Sequence, residues 1–336
     1  PCSLLRPLVD IGPLKRPLRM RVERIPAAYA AEVGKYAIET WARIPVSVEL
    51  SHEFRYRNPI LTPNTLVVAV SQSGETMDTL MATRYAKESA AMVLTVCNTQ
   101  GATLAREADA VLYTHAGPEV AVASTKAFTA QLTVLYLLAL QLGKIRNSRS
   151  LSELQDVGRD LLKLPSQIAE VLENSKSMVD LAKSFKDAKT VLFLGRHVGF
   201  PIAMEGALKL KELAYIHSEG FAAGELKHGP IALIEAGQPV IVIVPSPEDP
   251  DSLHAKVISN IQEVKARGAE VIAIAEQGDE EAGKYAAEVF YVPEVQQMLR
   301  PVLSVIPLQI FALELSSAKG LDVDQPRNLA KSVTVE

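Results

Sequence analysis

The chain is short of cysteine, basic charge and long apolar runs, and each shortage removes a class of function. Its only cysteines, Cys2 and Cys97, are far apart and show no metal-ligand spacing, so neither a disulfide scaffold nor a zinc site is expected. They suit a reducing, cytoplasmic setting. With 35 Lys+Arg against 39 Asp+Glu, the net charge of −4 leaves no basic stripe to neutralise a nucleic-acid backbone. Aromatics make up only 5%, which removes a stacking ladder as well. The longest apolar stretch, at 132–142, contains Thr133 and Tyr136 and is expected to be a buried helix, so no membrane span is anticipated. The arginine-bearing start has no uninterrupted apolar segment, so no secretory signal is expected.

What the chain does have is enough material for two cores: 336 residues, 48% hydrophobic. Its organising stretch is LVVAVSQSGET at 66–76, an apolar run that breaks into small hydroxylated residues around one glycine. Such a run reads as a strand buried on both faces of a parallel sheet. Ser71, Ser73, Gly74 and Thr76 then form a loop opening a helix over 77–89. A helix start, its positive dipole end and nearby hydroxyls suit a phosphate, although a plain connector has the same composition. The loop has no lysine, so it is not of the Walker type.

Further strands are predicted at 46–50, 92–98 and 110–114, with helices between them, and a long helix opens at VASTK, 122–126, with Ser124 or Thr125 as a cap. The pattern then recurs. VVAVSQSGE at 67–75 lies over IVIVPSPED at 241–249 with an offset of 174, and VLTV at 93–96 over VIAI at 271–274 with an offset of 178. The second copy replaces the hydroxyl loop with Pro245, Pro247, Glu248 and Asp249, a combination unsuited to phosphate. Strands alternating with helices predict two doubly wound parallel-sheet α/β domains in tandem, flavodoxin-like or Rossmann-like and three-layered. The expected divisions are an irregular segment at 1–31, a first domain at 32–145, a helical connector at 146–180, a second domain at 181–321 and a tail at 322–336.

Residues 205–230, EGALKLKELAYIHSEGFAAGELKHGP, carry the second cluster of interest. Glu205, Lys209 and Glu212 share one helical face, either as a surface ion-pair ladder or as a base beside a cation in a cleft. His228, in a Gly-rich charged loop, can move protons near neutrality, whereas His217 has an apolar context and reads as structural.

These segments resemble the double-SIS isomerase portion of the glutamine:fructose-6-phosphate amidotransferases, or glucosamine-6-phosphate synthases. The resemblance covers residues 33–336 and rests on SQSGET at 71–76, VASTKAF at 122–128, EGALKLKE at 205–212, AAGELKHGP at 222–230 and DQPRNLAKSVTVE at 324–336. It implies a cofactor- and metal-free ketose/aldose isomerase that makes glucosamine 6-phosphate from fructose 6-phosphate and ammonia. By resemblance, Ser71, Gln72, Ser73 and Thr76 hold the sugar phosphate, and Val122 and Ser124 line the sugar. Glu212 is the C1/C2 base with Lys209 beside it, His228 opens the ring from across a homodimer interface, and Lys331 forms a Schiff base. Ammonia would come from a glutaminase domain or from a chain in trans.

One departure is local: the family's C-G-T-S loop falls on Arg24, Ile25, Pro26 and Ala27, and its preceding strand on RPLRMRVE, which implies a missing strand and a broken loop. Such a break beside a close match reads as a shifted frame, a truncated product or an artificial junction. Two alternatives stand beside the main reading. One is a two-SIS glucosamine-6-phosphate deaminase, which the tail and ELKHGP disfavour. The other is an inactive phosphosugar-binding module, supported only by the altered loop.

Overall fold

The computed structural model describes residues 18–22, 25–251 and 253–331, with side chains from residue 27 onward. Cys2, Arg24 and the last five residues of the tail lie outside the described residues. The described residues form two compact units, one made of those within 18–119 and 126–157, the other of those within 120–125 and 158–331.

The first unit contains β1 (Leu18–Val22), α1 (Ile25–Trp41), β2 (Val46–Leu50), α2 (Ser51–Phe54), β3 (Leu66–Val70), α3 (Met77–Glu88), β4 (Met92–Cys97), α4 (Thr103–Glu107), β5 (Ala110–Tyr113) and α5 (Lys126–Arg146). Its strands are all parallel, in the order β2-β1-β3-β4-β5. The expected irregularity at 1–31 is therefore corrected for its described residues, 18–22 and 25–31. Leu18–Val22 is a central strand, paired with β2 on one side and β3 on the other, so the sheet lacks no strand. Helix α1 begins two residues earlier than the pattern at Ala27 predicts.

Helix α6 (Leu151–Glu173) follows, and then α7 (Lys176–Ser184), β6 (Thr190–Gly195), α8 (Gly199–Ala214), β7 (His217–Ala222), β8 (Pro239–Ile243), α9 (Leu253–Lys265), β9 (Glu270–Glu276), α10 (Glu280–Tyr285), β10 (Glu288–Val292) and α11 (Arg300–Ala318). The second sheet runs β10-β9-β8-β6-β7, again parallel. Read from its other edge and shifted by five strands, it has the topology of the first sheet, the flavodoxin-like 2-1-3-4-5 order. The repeat seen in sequence is thus a repeat in space.

Burial explains the apolar runs. All five residues of β3 and all five of β8 are buried, as expected for strands covered on both faces. On one face of the second sheet, Val240 and Val242 pack with Val257, Ile258 and Ile261 of α9. On the other face lies α8. A Cβ added to Gly206 would stand 2.7 Å from the Leu308 side chain and 2.9 Å from the Phe193 ring, so only glycine lets α8 settle between β6 and α11.

Among the described residues two helices, α5 and α11, are long and apolar enough to cross a membrane by length and composition, contrary to the expectation of none. Both are largely buried within their own units. Tyr136 of α5 meets Trp41 of α1 at 5.9 Å between ring centroids, and Phe311 of α11 meets Phe185 at 6.5 Å. They are core helices.

Candidate active site

In an open sheet of this order, ligands sit beyond the carboxyl ends of the strands where the order reverses. In the first unit that position belongs to residues 71–76, between β3 and α3. The loop is a folded object. The Ser71 hydroxyl is buried and accepts the Gly74 N–H at 2.7 Å, while the Ser73 hydroxyl accepts the Glu75 N–H at 3.2 Å. The Glu75 carboxylate accepts the Thr103 N–H at 2.7 Å, and the Gly74 carbonyl accepts the Leu104 N–H at 3.0 Å, so the loop is fastened to the start of α4. Gly74 has φ +69°, and a Cβ there would lie 2.7 Å from Ala102 Cβ and 2.8 Å from Cys97 Sγ. Only glycine satisfies both the left-handed backbone and that contact.

Thr76 stands immediately before α3 with extended backbone (φ −68°, ψ 124°) and makes no side-chain cap bond. Its Oγ1 is buried and has no hydrogen-bond partner among the described residues. A buried hydroxyl left in that state costs about 1–3 kcal/mol relative to a satisfied one. It sits at the positive end of a twelve-residue helix. Of the hydroxyls predicted to meet a phosphate, Ser71 is thus spent shaping the loop and Thr76 is held in reserve.

The second unit carries the charged face of α8. Lys209 and Glu205 are completely buried, and the Glu212 side chain is 20% exposed. Lys209 Nζ donates to Glu212 Oε2 at 2.5 Å and lies 3.5 Å from Glu205 Oε1. This rules out the surface-ladder reading. Burial works against the Lys209 charge, but the Glu205 and Glu212 carboxylates outweigh it and hold the amine above its ordinary value. Lys209 is therefore a fixed cation, and Glu212 is the member of the three with an edge open to solvent.

Val122, Ser124, His228 and Lys331 fall in the same unit. Val122 donates its N–H to the Asp324 carbonyl at 2.9 Å, and Lys331 Nζ donates to the Ala121 carbonyl at 2.5 Å, so the tail and the 121–122 segment are joined. Ser124 is half-buried and makes no side-chain hydrogen bond among the described residues, which removes the capping reading. His228 ends a short 3-10 turn (Leu226–His228) and is exposed. Its side chain meets none of Glu212, Lys209 or Lys331 among the described residues. His217, expected to be structural, is instead 70% exposed on β7, 3.4 Å from Glu219. Gln72 and Ser73 are half-buried in the first unit's loop.

The corresponding loop of the second unit is held by ion pairs within the protein. Asp249 is paired with Arg300, the first residue of α11, at 2.6 and 3.2 Å. Arg300 also meets Glu276 at 3.1 Å, and Glu276 accepts the Ser246 hydroxyl at 2.6 Å. The arginine charge is consumed internally. The signal for this was the acidic loop, but nothing in the sequence identified Arg300 as its partner.

Comparisons with known proteins bear on the family and the fold. The SIS domain family model matches residues 26–141 and 184–318. A glutamine–fructose-6-phosphate aminotransferase [isomerizing] of Leifsonia xyli subsp. xyli is 65% identical over 310 residues, 92% of this chain and 50% of the relative. The Mycobacterium bovis enzyme of the same name is 57% identical over 310 residues, with the same coverage. The chain thus spans about half the length of these curated relatives. Among solved structures, the C-terminal domain of glucosamine-fructose-6-phosphate aminotransferase from Francisella tularensis has a TM-score of 0.88 at 37% identity, covering 93% of this chain and 88% of that one. A glucosamine-6-phosphate deaminase from Thermotoga maritima has a TM-score of 0.72 at 21% identity over 98% and 93% of the two chains, and so shares the fold. With two matched segments in two topologically identical units, the chain belongs to the SIS domain family and, within it, to the C-terminal domains of the glucosamine-fructose-6-phosphate aminotransferases.

Proposed function

We propose that this chain is a ketose/aldose isomerase module that converts fructose 6-phosphate and ammonia to glucosamine 6-phosphate and water. The observation that carries the reading is the α8 cluster, a buried lysine clamped between two carboxylates of which Glu212 alone has an edge open to solvent.

The phosphate binds at residues 71–76, where Thr76 Oγ1 gains the partner it lacks. The open-chain ketone condenses with the Lys331 amine, releasing water and leaving an iminium at C2. Ammonia adds at C2 and expels the lysine amine, giving a C2 imine. Glu212 takes a proton from C1, that electron pair forms a C1=C2 bond, and the imine nitrogen takes up a proton. Glu212 then returns its proton to C2 as the C1 hydroxyl gives up its own, so the net transfer is from C1 to C2 and from the hydroxyl to the nitrogen. The C1 hydroxyl becomes an aldehyde and C2 keeps the new amine. Lys209 keeps Glu212 oriented and supplies positive charge beside the developing enolamine. His228, exposed in its own subunit, serves ring opening in a second copy of the chain, which makes a homodimer the working unit. Ammonia comes from a glutamine-hydrolysing domain or chain. The buried Cys97 suits a reducing cytoplasm.

The test is turnover of fructose 6-phosphate by the purified chain with and without ammonium, following glucose 6-phosphate and glucosamine 6-phosphate. A general base contributes about 10²–10⁴-fold, so Glu212→Gln is expected to lose that much of both products. Undiminished turnover in Glu212→Gln, or none in the folded wild type, overturns the assignment.

A further inference from the structure

Helix α8 does not stop in the usual way. The residue after Ala214 is Tyr215, in the left-handed region at φ 56°, ψ 31°. Helices commonly end on such a residue, but it is usually glycine, because a Cβ there crowds the following carbonyl oxygen. The bulky residue retained at this position is committed elsewhere. The Tyr215 hydroxyl accepts the Arg327 backbone N–H at 2.7 Å, and the Arg327 guanidinium lies 4.3 Å from the centre of the Tyr215 ring.

Residues 322–331 have no helix or strand, yet they follow a defined course. The Asp322 carboxylate accepts the N–H groups of Asp324 and Gln325 at 2.9 Å each. The Asp324 carbonyl accepts the Val122 N–H at 2.9 Å, and Lys331 Nζ reaches the Ala121 carbonyl. The tail therefore has an anchor on the 121–122 segment and a second one on the end of α8.

Tyr215 lies three residues beyond Glu212, just past the end of the same helix. We propose that Tyr215 is a positioning residue, a latch that fixes the tail, and with it the Lys331 amine, in register with the Glu212 carboxylate. This rests on the assignment of Lys331 and Glu212 made above. The size of the effect follows from tether length. From Arg327 to Lys331 the amine hangs on four residues; with the latch gone, the next anchor is Asp324, seven residues away, and if the whole tail frees it is Ala318, thirteen away. Effective concentration falls roughly as the −3/2 power of tether length, so loss of the latch lowers it about two-fold in the first case and about six-fold in the second.

The experiment is reductive trapping on the full chain. Fructose 6-phosphate and cyanoborohydride are added, and the rate at which a sugar adduct appears on the peptide containing Lys331 is followed by mass spectrometry. The variants are Tyr215→Phe, which deletes only the hydroxyl, Arg327→Ala, which deletes the cation, and the pair combined. We expect trapping and kcat to fall two- to six-fold in the double variant, with the KM for sugar phosphate and the Tm unchanged. Equal trapping in wild type and variants, with Lys331 the modified residue, overturns the latch and leaves the assignment of Lys331 standing. A loss of trapping that follows a matching loss of Tm assigns Tyr215 to stability and also overturns the latch. Absence of any Lys331 adduct in an active wild type overturns the Lys331 assignment and the latch with it.

Discussion

Replacing Lys209 with methionine tests the electrostatics of α8 most directly, because the change keeps most of the unbranched stem and removes the ammonium, its charge and its hydrogen bond to Glu212. In the wild type one cation lies between two carboxylates, 2.5 Å from Glu212 and 3.5 Å from Glu205. At an effective dielectric of about 20, the Glu205 contact alone is worth about 5 kcal/mol of attraction, most of it offset by desolvation of the two buried groups. Deleting the cation removes the attraction and leaves the cost, so Lys209→Met is expected to destabilise the second unit by about 3–5 kcal/mol. The same reasoning says the damage is repairable. Lys209→Met combined with Glu205→Gln removes the stranded buried charge and should recover about 2 kcal/mol, a coupling typical of contacting groups. A chain of two units does not unfold as one, so the suitable assay is amide hydrogen exchange on β6 and β8, which reads the second unit directly. The reasoning is refuted if the single variant costs less than about 1 kcal/mol, or if the double variant is no more stable than the single.

Lys209 also predicts a pH dependence. Its folded value lies above 10.5, so the stability it contributes is complete below that pH and is lost as pH rises through the higher folded value. The stability difference between the wild type and the double variant should therefore stay level through neutrality and shrink above about pH 10.5, as measured by exchange or urea titration. Thr76→Val replaces a buried, unpartnered hydroxyl with a methyl, so it should leave stability unchanged or slightly higher while raising the KM for sugar phosphate by about 5–150-fold, equivalent to 1–3 kcal/mol. A fall in stability with no change in KM would show that the hydroxyl serves the fold. Gly74→Ala should cost at least 1–2 kcal/mol, from left-handed backbone and the clash with Ala102 and Cys97, and lower exchange protection in β3 and β4 more than in β8.

The parts of the fold most legible in sequence were those buried on both sides. β3, β4, β6, β8 and β9 show as apolar runs because a covered parallel strand tolerates no polar face, and the repeat could be counted for the same reason. β1 was missed because Arg19 and Arg21 alternate with Leu18, Met20 and Val22 among prolines, a pattern that does not suggest a central strand. β7 was missed because HSEGFA pairs on one side only and is largely half-exposed, so it carries little apolar signal. For the site, helical spacing placed Glu205, Lys209 and Glu212 on one face but gave no indication that two of the three are fully enclosed. Tyr215 gave no signal at all, since its part depends on a backbone angle and on a tail more than a hundred residues away.

The pairing of Asp249 with Arg300 has a consequence for the duplicated architecture. At the place that corresponds to the first unit's 71–76 loop, the second unit holds a carboxylate of its own against a buried arginine. That pair is intramolecular, so its contribution does not change with the concentration of anything in solution, whereas the phosphate site proposed at 71–76 would stabilise the first unit in proportion to the logarithm of ligand concentration. Under that proposal two copies of one topology respond differently to their surroundings: the first gains stability with sugar phosphate, and the second does not.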